Sequence, residues 1–192
     1  MKKILVIQAH PDPESFNAAL AKAYIQGAEK TGAEVKLLVI SELKFDPVLR
    51  FGYRKRTELE PDLVQAWEWI SWADHLVWVH PVWWGGLPAL SKGFIDRLFL
   101  PGKAFSYKEN SNFQIKLLRG KTANILTTLD QPGWYYWLMY GRPSVNMLKR
   151  STLQFCGINP VQVNYFGIVR NSNAAQREKW LRQARLLGEK LK

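Results

Sequence analysis

Five short apolar runs rich in β-branched residues, at 4–7, 35–40, 76–79, 123–127 and 161–165, punctuate the chain, with helical patterns between most of them. Runs of this length and composition read as buried strands. Between the first two, Leu20, Ala23, Tyr24 and Gly27 fall at i, i+3, i+4 and i+7, one face of a helix that Gly32 is placed to end. Residues 62–72, 88–98, 145–155 and 174–191 supply further helical segments, with Pro88 suited to a first helical position. Strands that alternate with helices form a parallel sheet covered on both faces. With no repeat and no low-complexity linker, one α/β domain over residues 1–192 is expected. Open sheets of this kind bind ligands outside the carboxyl ends of their strands. The loops opening at His10, His80 and Thr128 are therefore where function is sought. Two connections, 41–61 and 102–121, are long enough to carry function or an interface.

Composition narrows the class. Hydrophobic residues at 47% and charged residues at 22% describe a globular chain, and no stretch reaches the ~18 apolar residues of a membrane span. Membrane insertion is not expected. Met1-Lys2-Lys3 runs straight into a four-residue apolar run too short for an export signal. A lone cysteine, Cys156, allows no internal disulfide and reads as a small buried hydrophobe, so a cytoplasmic location is expected. The net charge of +11 favours anionic ligands. Its tightest cluster, Arg50, Arg54, Lys55 and Arg56, comes without an RNA-binding consensus or Cys/His finger spacing, so no nucleic-acid partner is expected.

The first loop, Gln8 to Ala18, lacks the glycine patterns of a Rossmann fingerprint or a P-loop. It still offers an anion site. Ser15 and Asn17 stand at a helix start, where unpaired N–H groups and the helix dipole favour a phosphate, and His10 can add a donor. A plain helix cap at Ser15 or Asn17 accounts for the same residues. The second loop runs Pro81-Val82-Trp83-Trp84-Gly85-Gly86-Leu87-Pro88. Two consecutive tryptophans at a sheet edge expose large apolar rings unless a planar ligand or a covering loop shields them. Gly85 and Gly86 let a backbone approach that ligand closely with its N–H donors free.

These residues together, His10 with Ser15-Phe16-Asn17-Ala18, Pro81-Val82-Trp83-Trp84-Gly85, Leu87-Pro88-Ala89 and Lys92-Gly93-Phe94, resemble the NAD(P)H:quinone oxidoreductase (DT-diaphorase) family in its short bacterial form. Phe45-Asp46-Pro47, Ala73-Asp74 and Phe155-Cys156-Gly157 extend the likeness over nearly the whole chain. The resemblance implies a flavodoxin-like three-layer sandwich with strand order 2-1-3-4-5. It also implies a flavin held at a homodimer interface, and two-electron reduction of quinones by NAD(P)H in a ping-pong cycle. Thr127, Thr128 and Tyr135 match the family in the third loop. Leu129 and Asp130 replace its glycine pair, and Gly141 stands where it has a histidine, with Arg142 beside it. Tyr135 and Arg142 are the catalytic candidates, as donors toward the charge that hydride transfer builds on a flavin ring. FMN is expected rather than FAD, because a bulky Leu129 leaves less room for an adenylate. Residues 134–140 hold five aromatics in seven, too apolar for a water-facing loop, and are expected to close over the flavin or against a second subunit.

Three other readings touch parts of the sequence. Ala9-His10-Pro11-Asp12 resembles the opening of zinc-dependent sugar deacetylases, but Pro13 occupies a ligand position and the chain has three histidines, two of them on opposite faces of one strand. A flavodoxin-like electron carrier usually shows an acidic face, which a chain of +11 lacks. A regulatory subunit of a potassium-efflux system shares the family resemblance.

Overall fold

The computed structural model describes residues 1–109 and 113–191; residues 110–112 of the long 102–121 connection lie outside them. Five strands, β1 (Lys3–Gln8), β2 (Glu34–Val39), β3 (His75–Pro81), β6 (Thr122–Leu129) and β7 (Val161–Gly167), form one sheet in the order β2-β1-β3-β6-β7, every pairing parallel. In terms of the five apolar runs this is 2-1-3-4-5. β4 (Phe105–Tyr107) and β5 (Gln114–Lys116) make a separate antiparallel pair that the sequence patterning does not reveal.

The central strands β1, β3 and β6 are buried on both faces, which is why they read as largely apolar runs rather than alternating ones, while the edge strands β2 and β7 are partly exposed and carry Lys36, Gln162 and Asn164. Ile4, Val6, Val77, Val79, Leu126 and Phe166 point to one side, against Leu20 and Tyr24 of α1 (Phe16–Glu29) and Trp180 of α6 (Ala174–Glu189). Leu5, Ile7, Trp78 and Ile125 point to the other. There they meet Leu63 and Ile70 of α2 (Pro61–Trp72), Phe94 of α3 (Ala89–Leu98), and Leu148 in the helix that begins as α5 (Pro143–Asn146) and runs on through Gln154 with wider turns. Three layers result. α1 and α6 pack backbone to backbone, since a Cβ at Gly27 would collide with the Arg185 carbonyl and one at Gly188 with the Tyr24 carbonyl. That clamp fixes where α1 begins, at the carboxyl edge of the sheet.

Three local readings are corrected. Pro88 is not the first helical residue but the extended cap before it (φ −53°, ψ 143°), and α3 starts at Ala89. α1 ends at Glu29, with Lys30 as its cap, and Gly32 (φ +76°) turns the chain beyond. Residues 133–140 are not a loop but the helix α4 (Gly133–Tyr140), entered through Pro132 and closed by Gly141 at φ +67°.

Candidate functional site

The site is assembled from three strand ends. After β1, Ser15 caps α1, its Oγ accepting the Ala18 N–H at 3.3 Å. The cap reading thus holds for Ser15, yet it satisfies only one of the first-turn donors; the N–H groups of Phe16 and Asn17 have no partner within the helix. The Asn17 side chain is not free for a ligand as expected. It is buried, and its Nδ2 donates to Thr128 Oγ1 at 3.0 Å, tying the start of α1 to the end of β6. His10 Nδ1 accepts the Asp12 N–H at 3.0 Å, which leaves the imidazole proton on Nε2. Burial lowers the His10 pKa, so the ring is a neutral Nε2–H donor. Two residues that sequence reasoning passed over brace this loop: Gln8 Oε1 accepts the His10 N–H at 3.2 Å, and Ser91 Oγ donates to the Ala9 carbonyl at 2.8 Å.

After β3, Trp83 and Gly86 exchange two backbone bonds, 3.1 and 2.8 Å, around Trp84 (φ +50°) and Gly85 (φ +75°). Two left-handed residues inside such a pair make a type I′ turn. Glycine suits the second of those positions; a tryptophan at the first is uncommon and aims its indole fully into solvent. The Gly86 N–H is consumed in closing the turn, contrary to the expectation that both glycines leave donors free. Among the described residues, no backbone bond engages the N–H groups of Trp84 and Gly85.

The turn is anchored from below by Tyr136, which the sequence does not single out. Its buried hydroxyl donates to the Gly85 carbonyl at 2.9 Å and receives the Ser144 N–H at 3.0 Å, with Ser144 Oγ 2.8 Å away. Burial, the largest influence, raises the Tyr136 pKa and keeps the phenol protonated as donor. Tyr136→Phe is expected to keep the fold but cost about 1–3 kcal/mol, the usual toll for stranding buried partners. Urea unfolding with a circular-dichroism readout checks this, and an unchanged midpoint would mean the anchor holds nothing.

Two adjoining cavities lie over these strand ends. One, of about 170 Å³, is lined by His10, Ser15, Phe16, Asn17, Pro81, Val82, Trp83 and Thr128, together with Leu129, Asp130 and Val169. The other, of about 400 Å³, shares Val82, Leu129 and Asp130 and adds Trp84, Gly85, Gln131 and Tyr140. Ala18 borders neither; it contributes its capped N–H from a buried position. Thr127 is fully buried, its hydroxyl 3.3 Å from His80 Nε2. Tyr135 and Arg142 also border neither cavity. The Tyr135 ring packs edge-on between Trp134 and Tyr140 at 5.8 and 5.9 Å, and the Arg142 guanidinium lies 6.0 Å from the Trp137 ring. Leu129 lines both cavities while its side chain, 3% exposed, packs with Tyr136 and Val145. Asp130 Oδ1 accepts the Arg170 N–H at 2.8 Å, so this acid braces the rim.

The donors fit a ligand with an anionic end and a flat polar-edged end. Helix N–H groups and the Ser15 hydroxyl border the smaller cavity, where the His10 and Trp83 rings meet edge-on at 5.3 Å, and the open N–H groups of Trp84 and Gly85 belong to residues lining the larger one. Among the described residues, no group of three or more His, Cys, Asp or Glu is arranged to hold a metal. Burial drives His75 to about 4 and His80 to about 3, leaving both neutral and hydrogen-bonded to Thr122 and Thr127.

Comparison with known proteins agrees with this geometry. A family model described as Flavodoxin-like fold matches residues 2–187. A Haemophilus influenzae protein named uncharacterized NAD(P)H oxidoreductase is 30% identical, over 85% of this chain and 82% of that protein. NAD(P)H dehydrogenase [quinone] 1 of Cavia porcellus is 27% identical, over 84% of this chain and 67% of its own. Among solved structures, Smu.1420 from Streptococcus mutans superposes with a TM-score of 0.86 at 33% identity, covering 98% and 99% of the two chains. An FMN-dependent NADH-azoreductase from Bacillus anthracis, solved with FMN, shares the fold with a TM-score of 0.75 at 17% identity, covering 100% and 99%.

Proposed function

We propose, from the premise that the chain belongs to the flavodoxin-like family that includes NAD(P)H oxidoreductases, that it is an FMN-dependent NAD(P)H:quinone oxidoreductase. The observation that carries the reading is a single cavity wall shared by the α1 anion site and the Trp83 turn. Ser15, the first N–H groups of α1 and His10 Nε2–H would hold the phosphate. Val82, Trp83 and the N–H groups of Trp84 and Gly85 would hold the ring. When bound, a flavin would supply two-electron chemistry, taking a hydride from NAD(P)H and, with one further proton drawn from solvent, passing two electrons and two protons to a quinone.

The chain's own part is to bind, orient and keep donors fixed. Neutral His10 offers a hydrogen bond without a proton to lose near neutral pH. Tyr136 holds the Gly85 carbonyl, and through it the open side of the turn. Tyr135 and Arg142 are proposed for the substrate side, although neither lines the two cavities of a single chain. A homodimer is part of this proposal, supported by the family likeness.

The test is reconstitution of the apoprotein with FMN, followed by steady-state NAD(P)H oxidation with a water-soluble quinone. Yellow protein and parallel double-reciprocal lines are expected. Protein that stays colourless in excess FMN and FAD would end the reading, while intersecting lines would reject the shared pocket.

A further inference from the structure

The two cavities of the site meet at one acid. Val82, Leu129 and Asp130 line both, and among the described residues that line either cavity Asp130 is the only one with a formal charge. In a chain of net charge +11 that is unexpected: no lysine or arginine lines the site, and its wall carries a carboxylate where the family the chain resembles has a glycine. Nothing neutralises this acid. Its Oδ1 accepts the Arg170 N–H at 2.8 Å, a backbone donor without formal charge, and no ion pair or further hydrogen bond engages Asp130 among the described residues. The same rim is fastened a second time, by the Val169 N–H donating to the Leu129 carbonyl at 2.9 Å, and Val169 itself lines the smaller cavity. The carboxylate is therefore held at the boundary between the anion end and the ring end of the site, with one of its oxygens open.

We propose that Asp130 sets the electrostatics of this site: it opposes negative charge beside the ring, holds the potential of the bound flavin low and turns away electron acceptors that are themselves anions. The inference rests on the flavoprotein reading above. A fixed charge acts on whatever charge changes near it, and reduction adds negative charge to a flavin ring. The phosphate end is opposed as well, but equally in the oxidised and the reduced protein, so the potential reports on the ring alone. The acceptor class that follows is the uncharged or cationic quinones and related ring systems, against those bearing a carboxylate or sulfonate.

Two variants move the charge in opposite directions. Asp130→Asn removes it while keeping an oxygen for the Arg170 N–H, and Gln131→Glu places a second carboxylate on the wall of the larger cavity. Reductive titration of the FMN-loaded full chain against a dye of known potential should place Asp130→Asn above the parent and Gln131→Glu below it. The expected size is about tenfold in the preference for the reduced over the oxidised cofactor, or about 30 mV in a two-electron couple. Because Asp130 is exposed, both shifts should shrink as salt is raised. The kcat/KM for a naphthoquinone sulfonate, relative to the uncharged naphthoquinone, should rise about tenfold in Asp130→Asn. A bracing role alone would move the thermal melt and leave the potential and this ratio where they were, which would overturn the proposal. Equal potentials in loaded parent and Asp130→Asn would overturn it too, including where a second copy supplies a compensating cation. Parent protein that takes up no flavin would instead sink the flavoprotein reading, and this inference with it.

Discussion

Ser15→Asp is expected to leave the apoprotein as stable as the parent chain while costing it on the order of 100-fold in FMN affinity. Aspartate caps a helix as well as serine does, and a negative charge near a helix N-terminus is favourable, so α1 should keep its start. The ligand meets the opposite situation. A fixed carboxylate would stand where Ser15 Oγ now borders the cavity beside the open N–H groups of Phe16 and Asn17. Two unit charges about 6 Å apart at an effective dielectric of ~20 repel by about 3 kcal/mol. That corresponds to about a hundredfold in binding. Ser15→Ala separates cap from charge: it should lose about 1 kcal/mol of stability through the missing cap and weaken FMN far less. Titration of each apoprotein with FMN by flavin fluorescence, beside thermal melts, reads both effects. Should Ser15→Asp bind FMN as tightly as the parent, the phosphate lies elsewhere and the whole orientation of the ligand must be redrawn.

The parts of this molecule that were legible in its sequence are those where one physical requirement dominates. Strands covered on both faces are largely apolar, so the strand segments could be read from the residues, whereas their order came only with the family resemblance. A helix buried on one side must repeat every three or four residues, and Leu20, Ala23 and Tyr24 do, all buried. The three loops of the site were legible because a parallel sheet sends its first, third and fourth strands to the same edge. α4 was not, since Trp134 to Tyr140 is apolar all round and shows no face to a periodicity argument. Hence Tyr135, which matches the family by position, is only partly buried, whereas Tyr136, one residue and about 100° further round the helix, is buried and bonded to the Gly85 carbonyl. Which of two adjacent tyrosines turns inward depends on how α4 is entered from Pro132. That angle is a tertiary fact. The same holds for Gly86, whose N–H looked free until the turn it closes was known.

Arg97 carries the other large effect: Arg97→Met is expected to destabilise the chain by about 3 kcal/mol, although arginine in sequence reads as a surface residue. In the fold it is 1% exposed. Its Nη1 and Nη2 grip Glu60 Oε1 and Oε2 at 3.1 and 2.7 Å, Nη2 donates to the Glu58 carbonyl at 2.9 Å, and Nη1 donates to the Asp46 carbonyl. Glu60 Oε1 in turn accepts the Asp46 N–H at 3.1 Å. One guanidinium therefore pins both ends of the long 41–61 connection to α3, leaving the basic group Arg54, Lys55 and Arg56 exposed at its far side. Methionine fills a similar volume but strands a carboxylate and two carbonyls. Removing Arg97 leaves Glu60, whose side chain is 30% exposed, with only part of a desolvation penalty, and leaves the Asp46 and Glu58 carbonyls without their donor. Adding Glu60→Gln to Arg97→Met should recover part of the loss. Acid supplies an independent check. Burial, the strongest single influence on Glu60, pushes its carboxyl up, but the hydrogen bonds from Arg97 and the Asp46 N–H, with the Arg97 charge, outweigh it and hold the pKa below the ordinary 4.5. A carboxyl whose folded pKa is depressed stabilises above its unfolded value and loses that contribution as pH falls through the folded one. The gap in urea midpoint between parent and Arg97→Met should accordingly be full near neutrality and narrow below the ordinary glutamate range. A gap that stays constant into acid, or one under about 1 kcal/mol at neutral pH, would mean that the connection is held by something other than this fork.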